Sequence, residues 1–171
     1  ISYSNNDNFE VFAFLLPMEK IFEDFVGGFL EEKIGIHVKN ENRYLAKDNI
    51  FKLIPDIYIE SKKMIIDTKY KILKGDDSKK GVSQSDMYQM VSYAIRYKVE
   101  EFVLLYPEFV DDEIQNKDLP EFIVEDEFAN NHQINIKIHK LPIMVKDYDK
   151  DSYSDLKKKL DKQISESLEK I

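Results

Sequence analysis

Between residues 17 and about 33 the apolar positions fall at Met18, Ile21, Phe22, Phe25, Val26, Phe29 and Leu30, a spacing that predicts an amphipathic helix with Pro17 in its first turn. The period then shortens. Residues 34–39 and 44–46 read as short strands, 51–60 as a stronger one and 64–70 as its partner. Residues 75–81 are polar and glycine-bounded, a loop, after which Ser83 or Ser85 can cap a helix running to about 98. Residues 101–106 read as a strand stopped by Pro107, and the acidic run 108–121 as a surface excursion. Two further strands, 122–124 and 134–138, follow, with their pairing left open by the pattern. A last helix starts at Ser152 or Ser154, and its stripe of Leu156, Leu160, Ile164, Leu168 and Ile171 suits packing against a core or a partner. The order α-β-β-β-α-β plus a helical extension predicts an α/β fold with a mixed sheet. One domain is expected over 1–171, with its core at about 9–107 and the acidic excursion, extra strands and terminal helix at 108–171.

Composition narrows the function. The absence of cysteine excludes disulfides and thiolate metal sites and suits a reducing, cytoplasmic setting. No stretch approaches the roughly 20 apolar residues that span a bilayer, and the N-terminus carries neither a basic segment nor a small-residue cleavage site, so no membrane association is expected. His37, His132 and His139 lack the spacing of a zinc site or a catalytic triad. No glycine loop for phosphates is present, so this chain is expected to bind no nucleotide. A net charge of −8 opposes nucleic-acid binding, which lysine and arginine drive by releasing counterions. The lysines are uneven, however: Lys62, Lys63, Lys69, Lys71, Lys74, Lys79 and Lys80 crowd one stretch, as a phosphate-binding patch or as a solvated hairpin and loop.

The chemistry concentrates in the hairpin of that stretch. A two-residue turn at Ser61-Lys62 would place Asp56 directly opposite Asp67. The same register puts Leu53, Pro55, Ile57, Ile59, Met64, Ile66, Thr68 and Tyr70 on one face, with Ile54, Asp56, Tyr58, Glu60, Lys63, Ile65, Asp67 and Lys69 on the other. The charged face either meets water or holds a cation. Aspartate is disfavoured in strands and like charges directly opposed are destabilising, which favours a cation between them. Ligation by the two aspartates, with waters and the Thr68 backbone carbonyl, suits Mg²⁺ or Mn²⁺. With Lys69 beside it to orient or deprotonate a water, this set is what phosphodiester hydrolysis needs.

Two helices add candidates. Glu19, Glu23 and Gly27 form a row beside the apolar stripe of the first helix, from which Glu23 could reach the hairpin and hold a metal through water; otherwise it is an ordinary exposed glutamate. In the second, Met87, Met90, Val91, Ala94 and Ile95 are expected to be buried. That leaves Asp86, Gln89 and Tyr93 as a polar row that either faces water or reaches the site or DNA.

Pro55-Asp56, Asp67-Thr68-Lys69 and Gln89-x-x-x-Tyr93 together resemble the PD-(D/E)xK nuclease superfamily with a RecB-like helix. More narrowly, residues 18–25, 66–71 and 86–90 resemble the nuclease region of the McrC family, over most of 9–107. The resemblance implies a Mg²⁺-dependent endodeoxyribonuclease that cuts double-stranded DNA in a modification-dependent or otherwise NTP-driven bacterial restriction system. A separate McrB-like AAA+ GTPase would be its partner. Asp56 and Asp67 are implied as metal ligands, Lys69 as the water-activating residue and Glu23 as an auxiliary carboxylate; Asp86, Gln89, Tyr93 and Lys71 are the candidate auxiliary or DNA-contacting groups. McrC-like proteins carry a longer N-terminal part that meets the GTPase, so the chain is expected to be a fragment of a longer one, with the last helix as a docking stripe. The alternatives are a catalytically silent DNA-binding or scaffold domain on the same fold, or another nuclease of that fold such as a junction resolvase or repair exonuclease.

Overall fold

The alternation of strand-like and helix-like segments resolves into a mixed sheet with helices on both faces. The computed structural model describes residues 2–5, 9–12, 15–73, 78–109, 119–126, 132–144 and 153–171. Strands β1 (Ser2–Asn5) and β2 (Phe9–Phe12) pair antiparallel before the first helix. Helix α1 (Met18–Phe29) follows Pro17, whose carbonyl accepts the Ile21 N–H at 3.1 Å, and runs on through a π-helical turn to Ile34. Gly35 ends it at φ 75°, a left-handed conformation glycine takes freely, and the Ile36 N–H donates back to the Leu30 carbonyl at 2.9 Å.

Next come the small antiparallel pair β3 (Arg43–Tyr44) and β4 (Lys52–Leu53), then β5 (Ile57–Ile59) and β6 (Met64–Thr68). Helix α2 (Gln84–Tyr97) crosses over to β7 (Glu101–Phe109), and β8 (Glu121–Asp126), β9 (His132–Met144) and α3 (Tyr153–Leu168) complete the chain. The five-stranded sheet has the order β5-β6-β7-β9-β8. Its centre, β6-β7-β9, is parallel and both edge strands are antiparallel. No helix among the described residues is long and apolar enough to cross a membrane.

Both sheet faces are buried. Ile57, Ile59, Met64, Ile66, Val103 and Leu105 pack against Phe22, Val26 and Phe29 of α1 and Ile164 and Leu168 of α3. Tyr58, Ile65, Phe102, Leu104 and Ile136 pack on the other side against Met90, Tyr93, Ala94 and Tyr97 of α2. The face of the 51–70 hairpin expected to hold the charges and meet water or a cation also contributes Tyr58 and Ile65 to a second core, as parallel sheets covered on both sides require.

Several expectations are corrected. Residues 34–39 form no strand beyond a single bridge from Lys39 to Tyr58, because Gly35 turns the chain and the Glu31 carboxylate already accepts the Val38 N–H at 3.1 Å. The strand expected at 44–46 is the pair Arg43–Tyr44. The strand expected over 51–60 breaks between β4 and β5, where Pro55 has no N–H to give a ladder. Its turn is not the expected two-residue one: a 3₁₀ turn spans Glu60–Lys62, with Lys63 at φ 49°. Because this longer turn has the same parity, Ile57 pairs with Ile66, Tyr58 with Ile65 and Ile59 with Met64, the register expected from the two-residue turn.

Strand β7 passes through Pro107 instead of stopping there. Its ladder to β6 ends at Leu105, so Pro107 stands where that side of the strand has no neighbour to receive an N–H. The two late strands pair with each other antiparallel, and β9 extends to Met144 beside β7. The α3 stripe is core rather than a docking face, since Ile164 and Leu168 are buried and Leu160 and Ile171 pack around them. The side chain of Leu156, residues 74–77 of the expected loop and 110–118 of the acidic run lie outside the described residues.

Candidate functional site

The local fold at the carboxyl end of β6 follows from its immediate sequence. Beyond Thr68 the chain makes one more sheet contact, from the Lys69 N–H to the Leu105 carbonyl at 2.8 Å, and then leaves the sheet. Across from it the chain bends at Asp56, which lies outside the β5 ladder. The Asp56 Oδ2 accepts hydrogen bonds from both the backbone N–H and the Oγ1 hydroxyl of Thr68, each 2.7 Å. Thr68 thus ties the two halves of the hairpin through its side chain, where the sequence had suggested only its carbonyl. The signal was available: a hydroxyl between Asp67 and Lys69 has few other partners at a strand end.

Asp67, opposite Leu104 of β7, is wholly buried, and its Oδ1 has no hydrogen-bond partner. Its close neighbour is the Lys69 ammonium, in an ion pair with Oδ2. Burial above all, reinforced by the charge of Asp56, pushes the Asp67 carboxyl up to about 7. Burial pulls Lys69 the other way, but the carboxylates of Asp67, Asp86 and Asp56 together outweigh it and keep the ammonium charged above its ordinary value.

Lys69 Nζ also donates to Gln89 Oε1 at 3.2 Å, Gln89 Nε2 to the Tyr93 hydroxyl at 2.8 Å, and that hydroxyl to the Ile54 carbonyl at 2.7 Å. This line joins Lys69 to the backbone two residues before Asp56. The expected face of α2 is corrected here: Tyr93 is buried with Asp86, Met90, Ala94 and Tyr97, while Ile95 is 63% exposed. Ring area turns the helix, because the large rings of Tyr93 and Tyr97 bury more than Val91 or Ile95 would while their hydroxyls reach backbone carbonyls. Tyr93 therefore braces the site from behind and has no surface to offer DNA.

Asp86 accepts from Lys71 Nζ at 2.9 Å and lies 4.0 Å from Lys69 Nζ, while it closes a capping box with Ser83, the helix's N-cap. Burial raises the Asp86 carboxyl, but Lys71, Ser83 and Lys69 more than offset that and hold it below its usual range. The expected lysine crowd divides, since Lys62 and Lys63 sit at the turn before β6 and Lys69 and Lys71 beyond its far end, roughly 17 Å away for five strand residues. Lys74 lies outside the described residues.

A cleft of about 520 Å³ opens in front of this array. Helix α1 lines it with Glu19, Lys20 and Glu23, and the hairpin with Asp56, Thr68 and Lys69, followed by Tyr70 and Lys71. Glu23 is thus brought to the same cleft as Asp56, held by Lys20 Nζ at 2.6 Å. Asp67 does not line the cleft, but its ion-pair partner Lys69 does. Among the described residues no three His, Asp or Glu side chains converge closely enough to hold a metal unaided. The pair nevertheless fits a hard divalent cation: Asp67 Oδ1 is buried without a partner, Asp56 Oδ1 is not used by Thr68, and both are oxygen donors.

A family model described as McrBC 5-methylcytosine restriction system component matches residues 2–107. That span carries α1, the hairpin and α2, and ends within β7. No curated protein matches the chain.

Proposed function

The chain belongs to the McrBC 5-methylcytosine restriction system component family, and from that membership we propose that it is the DNA-cutting part of such a system, a Mg²⁺-dependent endodeoxyribonuclease of the PD-(D/E)xK type. The observation that carries the proposal is Asp67: a wholly buried carboxylate whose Oδ1 has no partner, pressed by the charge of Asp56 and countered at Oδ2 by Lys69. Burying a carboxylate with one oxygen left unsatisfied is costly, and sites of this kind cluster where chemistry is done.

In this reading Asp56, Asp67 and the Thr68 carbonyl hold Mg²⁺ or Mn²⁺, with Glu23 reaching it through water. A divalent ion there would polarise the scissile phosphate and lower the pKa of a water. The chain's own residues do the rest. Thr68 fixes the Asp56 carboxylate through two hydrogen bonds. Gln89 and Tyr93 fix Lys69 relative to that segment, so that once Lys69 swings off Asp67 its ammonium can face the phosphate and the incoming water. Asp86 sets Lys71 at the rim, where it can meet a second phosphate. Since the chain has no nucleotide loop, the energy-using step belongs to a separate AAA+ GTPase in this proposal.

The ion pair between Lys69 and Asp67 favours one other reading, a silent DNA-binding or scaffold domain in which lysine permanently replaces the metal. Cleavage of plasmid DNA with Mn²⁺ and the GTPase partner, measured beside Mn²⁺ binding, separates the two. The nuclease reading expects Lys69→Met to lose cleavage yet bind Mn²⁺ at least as tightly, because a competing cation is gone. An unaltered chain that neither cuts DNA nor binds Mn²⁺ contradicts it.

A further inference from the structure

The pair β3–β4 is a hairpin whose tip has no explanation in the core. After Arg43↔Leu53 and Tyr44↔Lys52, the Leu45 N–H donates to the Phe51 carbonyl at 2.9 Å and the Ala46 N–H to the Ile50 carbonyl at 3.1 Å, closing on a 3₁₀ turn at Lys47–Asn49. Three non-glycine residues of this tip are left-handed: Asp48 at φ 62°, Asn49 at 59° and Phe51 at 59°. Asparagine and aspartate tolerate that region, but a bulky phenylalanine does not. Its burial gives nothing in return, because Phe51 is 69% exposed, beside Leu45 and Ile50, which are exposed too. Strained, outward aromatics are found where a ligand meets them.

Charge identifies the ligand. In a chain of net charge −8, the tip holds Lys47 and Lys52 against Asp48 alone, while Arg43 at its base is ion-paired with Glu41 at 2.7 Å. The Arg43 guanidinium bonds the Arg96 carbonyl at 2.5 Å, which sets the carboxyl end of α2, with Arg96 and Lys98, beside the hairpin. Basic residues interleaved with exposed aromatic and aliphatic side chains suit a polyanion with stacked faces, not an acidic protein surface alone. Phe51 is five residues from Asp56, hence at most roughly 17 Å away, about half a turn of duplex.

We propose that the hairpin 43–53 is a DNA wedge: Phe51 enters between base pairs of the duplex bound at the cleft, and Lys47 and Lys52 hold the flanking phosphates. This rests on the nuclease reading for its DNA but not for its chemistry. A duplex carrying 2-aminopurine, with Ca²⁺ in place of Mg²⁺, reports both affinity and unstacking. The unaltered 171-residue chain should brighten the probe. Phe51→Gly, which removes the ring and the strained φ together, should lose the brightening and about tenfold or more in affinity, the scale of one lost stacking contact, while melting no lower than the unaltered chain. Lys47→Gln and Lys52→Gln should each lower the salt dependence of binding by about one phosphate contact. Duplex binding and brightening unchanged in Phe51→Gly overturn the wedge, as does failure of the unaltered chain to bind duplex. Unchanged duplex binding with loss of GTPase-partner binding instead assigns the tip to a protein. Cleavage distinguishes the two proposals: Phe51-dependent binding without metal-dependent cutting sinks the nuclease and leaves the wedge, and the converse sinks the wedge alone.

Discussion

Two places in this fold bury polar side chains against the same sheet, and they do so on opposite terms. At the seam between β9 and α3, His139 Nε2 lies 2.7 Å from the Ser167 hydroxyl, which gives its own proton to the Lys140 carbonyl at 3.1 Å. With that proton committed, His139 must donate through Nε2–H, the neutral form that burial favours by pushing its pKa down to about 4. At the end of β6, Asp67 is as deeply buried as Ser167, yet its Oδ1 has no partner, Oδ2 meets only the Lys69 ammonium, and a second carboxylate stands near. At the seam His139 Nε2 and the Ser167 hydroxyl both have partners, so substitution there has only stability to lose. At the β6 end the unpartnered Oδ1 of Asp67 is where the proposed cation would bind.

Substitution should expose the contrast most strongly at Asp67. We expect Asp67→Asn to reduce cleavage by about a thousandfold, the scale of a lost metal or transition-state contact, in a plasmid assay with Mn²⁺. Stability should move the other way. A carboxyl raised from 3.8 to about 7 contributes fully below about pH 4 and erodes stability as pH rises through 7, by something on the order of 4 kcal/mol. Asp67→Asn should therefore melt higher than the unaltered chain at pH 8 and no higher at pH 4. A lower melting point at pH 8 would mean that the Lys69 pair, not the buried charge, dominates.

The seam responds to acid. His139, depressed from 6.5 to about 4, gives stability that is whole above pH 6.5 and lost as pH falls towards 4, at most about 3 kcal/mol. His139→Gln should flatten that part of the pH–stability curve measured by urea unfolding. The smallest effect is expected from Ser167→Ala, which leaves the Lys140 carbonyl without its donor for about 1–2 kcal/mol, or a few degrees in Tm by calorimetry. An unchanged Tm would mean that the seam is not bonded as described.

The legibility of this molecule in its sequence follows the same division. Strand parity carried the register of β5 on β6, because a shift of one residue would have moved Ile57, Ile59, Met64 and Ile66 off their core. The same hairpin brings Asp56, Thr68 and Lys69 to one cleft. What was not legible depends on contacts between distant elements. The hydropathy of tyrosine hid the buried edge of α2, since the hydroxyls of Tyr93 and Tyr97 are satisfied only by carbonyls of residues 41, 53 and 54. The second core and the position of Pro107 required knowledge of sheet order. The α3 stripe was equally suited to core and partner until β9 was seen beneath it.

The central claim is that Asp56 and Asp67 together take a divalent cation, and calorimetric titration of the chain with Mn²⁺ at pH 8 tests it most directly. One ion per chain should bind with a rise in Tm, and Asp56→Asn, which preserves the shape of the Thr68 contact, should abolish both. Binding of equal strength in Asp56→Asn, or none in the unaltered chain, would contradict the account.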